Sequence, residues 1–226
     1  MEFPELFVFP LDKWIDVAVD WLTVEGDPVF DAIGSFLLKP MLAIESFLIW
    51  LPWFAFIIIV ALIAWRLSGW KLAAGVIFGM IFIGTIGLWE HTMRTLAIVF
   101  TATGLAIITG VPVGILMAQS NRVRSVMRPI LDMMQTMPSF VYLIPALMFF
   151  GLGKVPALIA VYIYAVPPAI RLTDLGIRQV SASVVEAAKA FGATRMQMLL
   201  KVQLPLAAPT IMTGVNQTIM MALAMV

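Results

Sequence analysis

Six stretches of this chain, at about 47–65, 72–89, 95–118, 130–150, 155–171 and 206–226, are apolar, with charge only at their margins. Each is near the roughly 20 residues that a helix needs to cross the hydrocarbon core of a bilayer. A water-soluble domain of 226 residues could not hide that surface, because 62% of the side chains are hydrophobic and only 12% are charged. The mean hydropathy of +1.03 points the same way. A helix satisfies its backbone groups within its own segment, so the pattern predicts an all-α, polytopic membrane protein. It excludes a soluble enzyme, a disordered protein and a nucleic-acid binder, and the net charge of +1 implies no strongly charged partner. With no cysteine and a single histidine, His91, the chain offers no thiol chemistry and no metal site is expected.

The connectors carry the charge. Placing Arg122, Arg124 and Arg128 in the cytoplasm brings ten of the fourteen Lys and Arg residues to that side. Lys13, Lys39, Arg94 and Lys154 then fall outside, and so does the N-terminus. The start, Met1-Glu2-Phe3-Pro4-Glu5, has acids where a secretory signal needs positive charge, so an internal helix is expected to direct insertion. The first 45 residues hold nine of the thirteen acids. Asp12, Asp16 and Asp20 form an acidic ridge opposite Leu11, Trp14, Ile15, Ala18 and Leu22, which predicts an amphipathic helix in the outer interface. Residues 29–38, between Pro28 and Pro40, are read as too short to cross. The expected organisation is an external segment at 1–46, accessory membrane helices at 47–93 and a core at 94–226. The last apolar run continues to Val226 without a flanking charge, so a further helix is expected to complete that core.

A long connector at 173–205 interrupts the apolar runs, and connections of this length in a compact bundle are usually functional. Ser183 followed by Glu186 has the spacing of a capping box, and Thr194 followed by Gln197 is a second. Ala187, Ala188, Lys189, Ala190 and Phe191 extend the first helix, and Gly192 ends it, since glycine takes a left-handed turn at little cost. Leu204-Pro205 and Pro209 are expected to stop the second helix and turn the chain back into the membrane. The product is a helix–glycine–helix elbow tethered at both ends, able to transmit a push or to act as a plain re-entrant connector.

The string Glu186-Ala187-Ala188, three residues, Gly192, nine residues, Val202, one residue, Leu204-Pro205 resembles the EAA motif of type I ABC importer permeases, with Val202 where isoleucine is commoner. Asp132-Met133-Met134-Gln135-Thr136-Met137-Pro138, Phe140-Val141-Tyr142-Leu143-Ile144-Pro145, Pro167-Pro168 with Ile170-Arg171, and Lys201-Val202-Gln203-Leu204-Pro205 resemble its glycine betaine/proline branch. The likeness covers roughly the last 130 residues. It implies that the elbow is a coupling helix docked on a cytoplasmic ABC ATPase, with Ser183, Glu186, Ala187, Ala188, Gly192, Leu204 and Pro205 at the coupling site. It further implies two ATPase subunits, a second and identical permease copy, an extracytoplasmic substrate-binding protein and a cytoplasmic (inner) membrane location. ATP and magnesium would sit on the ATPase, with no cofactor on this chain. The expected cargo is a compatible solute: glycine betaine, proline betaine, choline or carnitine.

Polar groups inside a bilayer are costly and tend to face the bundle interior or water, which marks Gln135, Ser139, Tyr142 and Asn216 as candidate linings of a pathway. The prolines Pro138 and Pro145 single out the fourth run as its wall. Asp132 and Arg171 fall near the cytoplasmic ends of neighbouring runs and are expected to pair as a latch. An intramembrane enzyme is disfavoured, because no Gly-x-Ser-x-Gly motif occurs and the acids lie at the ends of the runs. A permease for an amino acid or a sulfonate is the alternative within the class, and a passive channel the alternative outside it.

Overall fold

The computed structural model describes residues 25–226 together with Trp14, Val17, Val19 and 21–23. The acidic ridge and most of the apolar face expected near the N-terminus lie outside the described residues. The described residues from Asp27 onward form α1 (Asp27–Trp50), α2 (Trp53–Ser68), α3 (Trp70–Thr85), α4 (Trp89–Gln119), α5 (Asn121–Thr136), α6 (Phe140–Phe150), α7 (Lys154–Arg178), α8 (Ala182–Ala190), α9 (Arg195–Met198) and α10 (Leu204–Met225). No strand occurs among them. A π-helical turn at Leu199–Gln203 joins α9 to α10. Among the described residues four helices are long and apolar enough to cross a membrane, α1, α4, α7 and the continuous stretch Arg195–Met225, and the pair α5–α6 would make a fifth if taken as one bent span.

The core is built on α7, which packs against α4 on one side and α10 on the other. Small residues permit the approach. A Cβ on Gly114 of α4 would stand 2.6 Å from both the Ile170 carbonyl oxygen and Thr173 Cβ of α7. Membrane helices gain no hydrophobic drive toward one another, so such close van der Waals contact is what holds them. Ala165, Ala169 and Thr173 of α7 are at most 1% exposed.

Several boundaries differ from expectation. Residues 29–38 are not a separate short segment but part of the 24-residue α1, so the expected boundary at 46/47 falls inside a helix. Pro28 occupies the first turn, where its missing N–H is no loss, and Pro40 is accommodated within the helix. The real break follows at Leu51, which the next residue, Pro52, holds extended at ψ 125°. The expected span at 47–65 is therefore divided between α1 and α2. Both α2 and α3 are 16 residues long, and they pack on each other as a hairpin. His91 and Arg94, read as connector, lie in the first turns of α4.

The run at 130–150 is not one straight span. It forms α5 and α6, bent by 97° at Met137, Pro138 and Ser139. Proline at 138 disfavours helical geometry at Met137, whose ψ is 137°. α7 in turn extends beyond the expected end at Arg171 to Arg178 and carries Pro167 and Pro168 inside it. The connector begins at Gln179, not Thr173.

α1 covers one end of the bundle. Met41 is fully buried with Val99, Ala102, Leu158, Val161 and Ala222, close to the start of α4 and α7 and the end of α10. Buried Glu45 accepts hydrogen bonds from Lys154 Nζ at 2.6 and 2.7 Å, and Arg94 Nε lies 3.8 Å away.

Candidate functional site

At the other end of the bundle the chain leaves α7 and makes the elbow. α8 begins at Ala182, with Ser181 as its N-terminal flanking residue. The Ser183–Glu186 capping box does not form: Ser183 lies within the first turn, and its hydroxyl pairs with that of Ser181 at 2.7 Å. A chain turn set one residue pair earlier than the spacing implied puts Ser183 beyond the capping position. The end of α8 follows expectation. Gly192 has φ +79°, its N–H donates to Lys189 O at 2.9 Å, and Ala193 N donates to Ala188 O at 3.1 Å. These two bonds make a Schellman turn and satisfy carbonyls the helix leaves open. The Thr194–Gln197 box also forms: Thr194 Oγ1 accepts from Gln197 N at 3.3 Å, and Thr194 N donates to Gln197 Oε1 at 2.9 Å.

Leu204-Pro205 does not stop the second helix. The chain runs helically from Arg195 to Met225, and Pro205 falls in the first turn of α10 just after the π turn. A π turn lets a helix absorb a residue whose backbone cannot join the regular ladder. Pro209 is likewise inside α10. Leu199, in that π turn, is buried with Ile177 and Ala207 against Ile115 and Ala118, so the root of the elbow is anchored to α4 and α7.

The tip is bare. No residue of α8 is buried. Glu186 and Ala187 are exposed and Ala188 is half-buried. Phe191, treated in the sequence only as part of the helix, is 93% exposed at the tip, beside Gly192. A large ring next to the glycine that ends a run of alanines was the only sequence signal of this protrusion. Among the described residues Glu186 makes no ion pair.

Arg171 Nη2 donates to Asp132 Oδ1, joining α7 to α5 as the sequence had placed them. Arg171 Nε stays buried without a partner. One turn further along α7 lies a cluster that sequence reading missed. Asp174, with its side chain 6% exposed, accepts from Arg124 Nε at 2.9 Å and from Arg178 Nε at 2.8 Å. Arg178 Nη2 also donates to Met117 O at 2.7 Å.

The four candidate lining residues are not gathered into one enclosed site. Gln135 is exposed at the end of α5, and Ser139 is half-buried in the bend. Tyr142 donates to Met134 O at 2.6 Å and so braces α6 against α5 across the bend. Asn216 is exposed on α10 beside exposed Gln217 and near Met212, 61% exposed, and Met220, 63% exposed. Gln135 and Asn216 are on different helices, and no hydrogen bond joins them. Polar groups exposed on otherwise apolar helices require a protein or aqueous neighbour in a membrane.

The family described as binding-protein-dependent transport system inner membrane component matches residues 110–225, which takes in the C-terminal third of α4, the bend, α7, the elbow and α10. A glycine betaine/proline betaine transport system permease protein, ProW of Escherichia coli, is 47% identical over 219 residues, covering 97% of this chain and 62% of the relative. The glycine betaine permease OpuAB of Bacillus subtilis is 46% identical, covering 96% of this chain and 77% of that one. The glycine betaine/carnitine permease GbuB of Listeria monocytogenes is 44% identical, over 99% of this chain and 80% of its own length. The chain thus spans 62% of the length of the Escherichia coli relative.

Proposed function

This chain belongs to the binding-protein-dependent transport inner membrane components, and from that premise we propose that it is the permease subunit of an ATP-driven importer of compatible solutes. The cargo is a small zwitterion or quaternary ammonium compound, of the glycine betaine, proline betaine, choline or carnitine kind. Relatives named for glycine betaine and carnitine permeases support that reading.

One observation carries the coupling role: α8 is a nine-residue helix with no buried residue, held at both ends by the bundle. Helices that short are marginal in water unless something packs on them. The packing partner is a cytoplasmic ABC ATPase, two of which grip two permease copies. Phe191 and the Ala187–Ala188 surface enter the ATPase groove, and Gly192 sets the exit angle of the chain. The permease itself binds no nucleotide. ATP-driven closure shifts it between outward- and inward-facing states because the elbow is gripped differently in each.

The pathway lies between two copies of this chain, with Gln135, Ser139 and Asn216 toward it and Tyr142 stiffening the bend beside it. Asp132–Arg171 is the latch on the elbow side. That side is cytoplasmic, and the end capped by α1 faces the substrate-binding protein. α1 covers that external end, α2 and α3 are accessory, and α4 to α10 form the permease core.

The test is reconstitution of the full-length chain with its ATPase and binding protein in liposomes. ATP-dependent uptake of labelled glycine betaine, and its disappearance when the elbow is disrupted, is the expected result. Uptake without ATP, or an ATPase complex that survives removal of residues 182–192, would overturn the reading.

A further inference from the structure

The Asp174 cluster sits at the root of the elbow but outside the elbow motif. Arg178 is the last residue of α7, and only Gln179, Val180 and Ser181 separate it from α8. Displacement of α8 therefore reaches Arg178 first. Arg178 is tied to Asp174 and to the Met117 carbonyl, in the last turn of α4, where helix geometry leaves carbonyls without partners. The second oxygen of Asp174 is held by Arg124, in the first turn of α5. One buried carboxylate thus joins α4, α5 and α7.

Otherwise α5 is held by apolar packing, with Val123, Met127 and Met134 against the core, and by the hydrogen bond from Tyr142 to Met134 O. Leu131 is its one buried residue among those described. Its other ionic tie is Asp132–Arg171, reversed in polarity, with side chains 63% and 38% exposed. That pair holds the arginine by Nη2 while Nε is left unbonded. The two ties differ in kind. Breaking the buried one would strand a charge away from water, whereas the exposed one can separate into solvent.

We propose that Asp174 and its two arginines form a force-bearing joint. It carries movement of the elbow root into α5 and, through α5, into the 97° bend at Met137, Pro138 and Ser139, while Asp132–Arg171 opens and closes. Asp174, Arg124 and Arg178 are positioning residues; they touch neither cargo nor nucleotide. The proposal rests on the reading of α8 as the ATPase-docking helix.

The chain has no cysteine, so labels can be placed freely. Val126→Cys on α5 and Leu175→Cys on α7, 63% and 39% exposed, report the joint by spin-label distance in the full-length protein in lipid nanodiscs. Val126→Cys with Ile144→Cys reports the bend. With ATPase bound, the 126–175 distance is a single narrow distribution with or without nucleotide, and the 126–144 distance shifts on adding a non-hydrolysable ATP analogue. Arg124→Gln broadens the first and abolishes the shift in the second. In liposomes the same variant keeps ATPase association and ATP hydrolysis but moves about fivefold less solute per ATP. Arg124→Lys restores the narrow distribution and most of the transport. A narrow 126–175 distribution in Arg124→Gln, or uptake and hydrolysis falling in equal proportion, overturns the joint. Absence of ATPase association in the unsubstituted chain removes the docking reading instead.

Discussion

Glycine is required at two positions for two different reasons, and its replacement should separate docking from folding. At Gly192 the cause is φ +79°, since nothing lies within 4 Å of an added Cβ. A left-handed alanine costs about 1–2 kcal/mol. Gly192→Ala should weaken ATPase binding about tenfold, measured by pull-down against ATPase concentration, and leave the melting temperature of the membrane bundle unchanged. At Gly114 the cause is contact with Ile170 O and Thr173. Gly114→Ala should destabilise the bundle by about 1–3 kcal/mol, read as a lower melting temperature whether or not ATPase is present. Phe191 is the third case. A ring 93% exposed contributes nothing to the isolated fold, so Phe191→Ala should leave stability alone and cost at least about 2 kcal/mol of docking. Gly192 was legible in the sequence because a left-handed helix end has a one-residue signature. Ser183 misled, because capping depends on where the helix begins, and Ser181 takes the flanking position.

Element boundaries were legible where local chemistry decides them and illegible where distant partners do. Asp174 and Arg178 look like connector because each is charged, yet both lie in α7, after Arg171. The three charges are matched by Asp132, Arg124 and the Met117 carbonyl, from parts of the chain about 40–60 residues away. The bend at 137–139 was foreshadowed by Pro138, but its size depends on how α5 and α6 pack beside α7. The Asp132–Arg171 pair was anticipated from the position of each at a span end, and its contact is present. If it acts as a latch, Asp132→Arg and Arg171→Asp should each abolish uptake, and the two together should restore it. A double variant as inactive as the singles would leave the contact with no role in the cycle.

At the scale of the molecule, the charged groups sort to opposite ends of the bundle. Glu45, Arg94 and Lys154 gather where α1 caps it, and Arg124, Asp174 and Arg178 gather at the elbow. The sequence assigned Arg94 and Lys154 to one side and Arg124 and Arg178 to the other by charge bias alone. It put Glu45 in the external segment, on the same side, but gave no sign that Glu45 would pair with Lys154, because that contact spans 109 residues. The exposed face of α10 should meet a second copy: Met220→Cys, in a chain with no other cysteine, should cross-link two chains in native membranes under oxidation. A monomer under conditions that cross-link a control dimer would rule that face out. The π turn at Leu199–Gln203 sets how this face and the elbow are oriented relative to each other. A π turn takes up one supernumerary residue in a wider loop of the ladder, so the shaft and its handle keep their facing while the chain between them gains slack. Deleting exposed Lys201 would close that wide loop into ordinary α-helix, which keeps the facing of shaft and handle but takes away the slack that lets Pro205 sit in the run, so the strain would return to the joint.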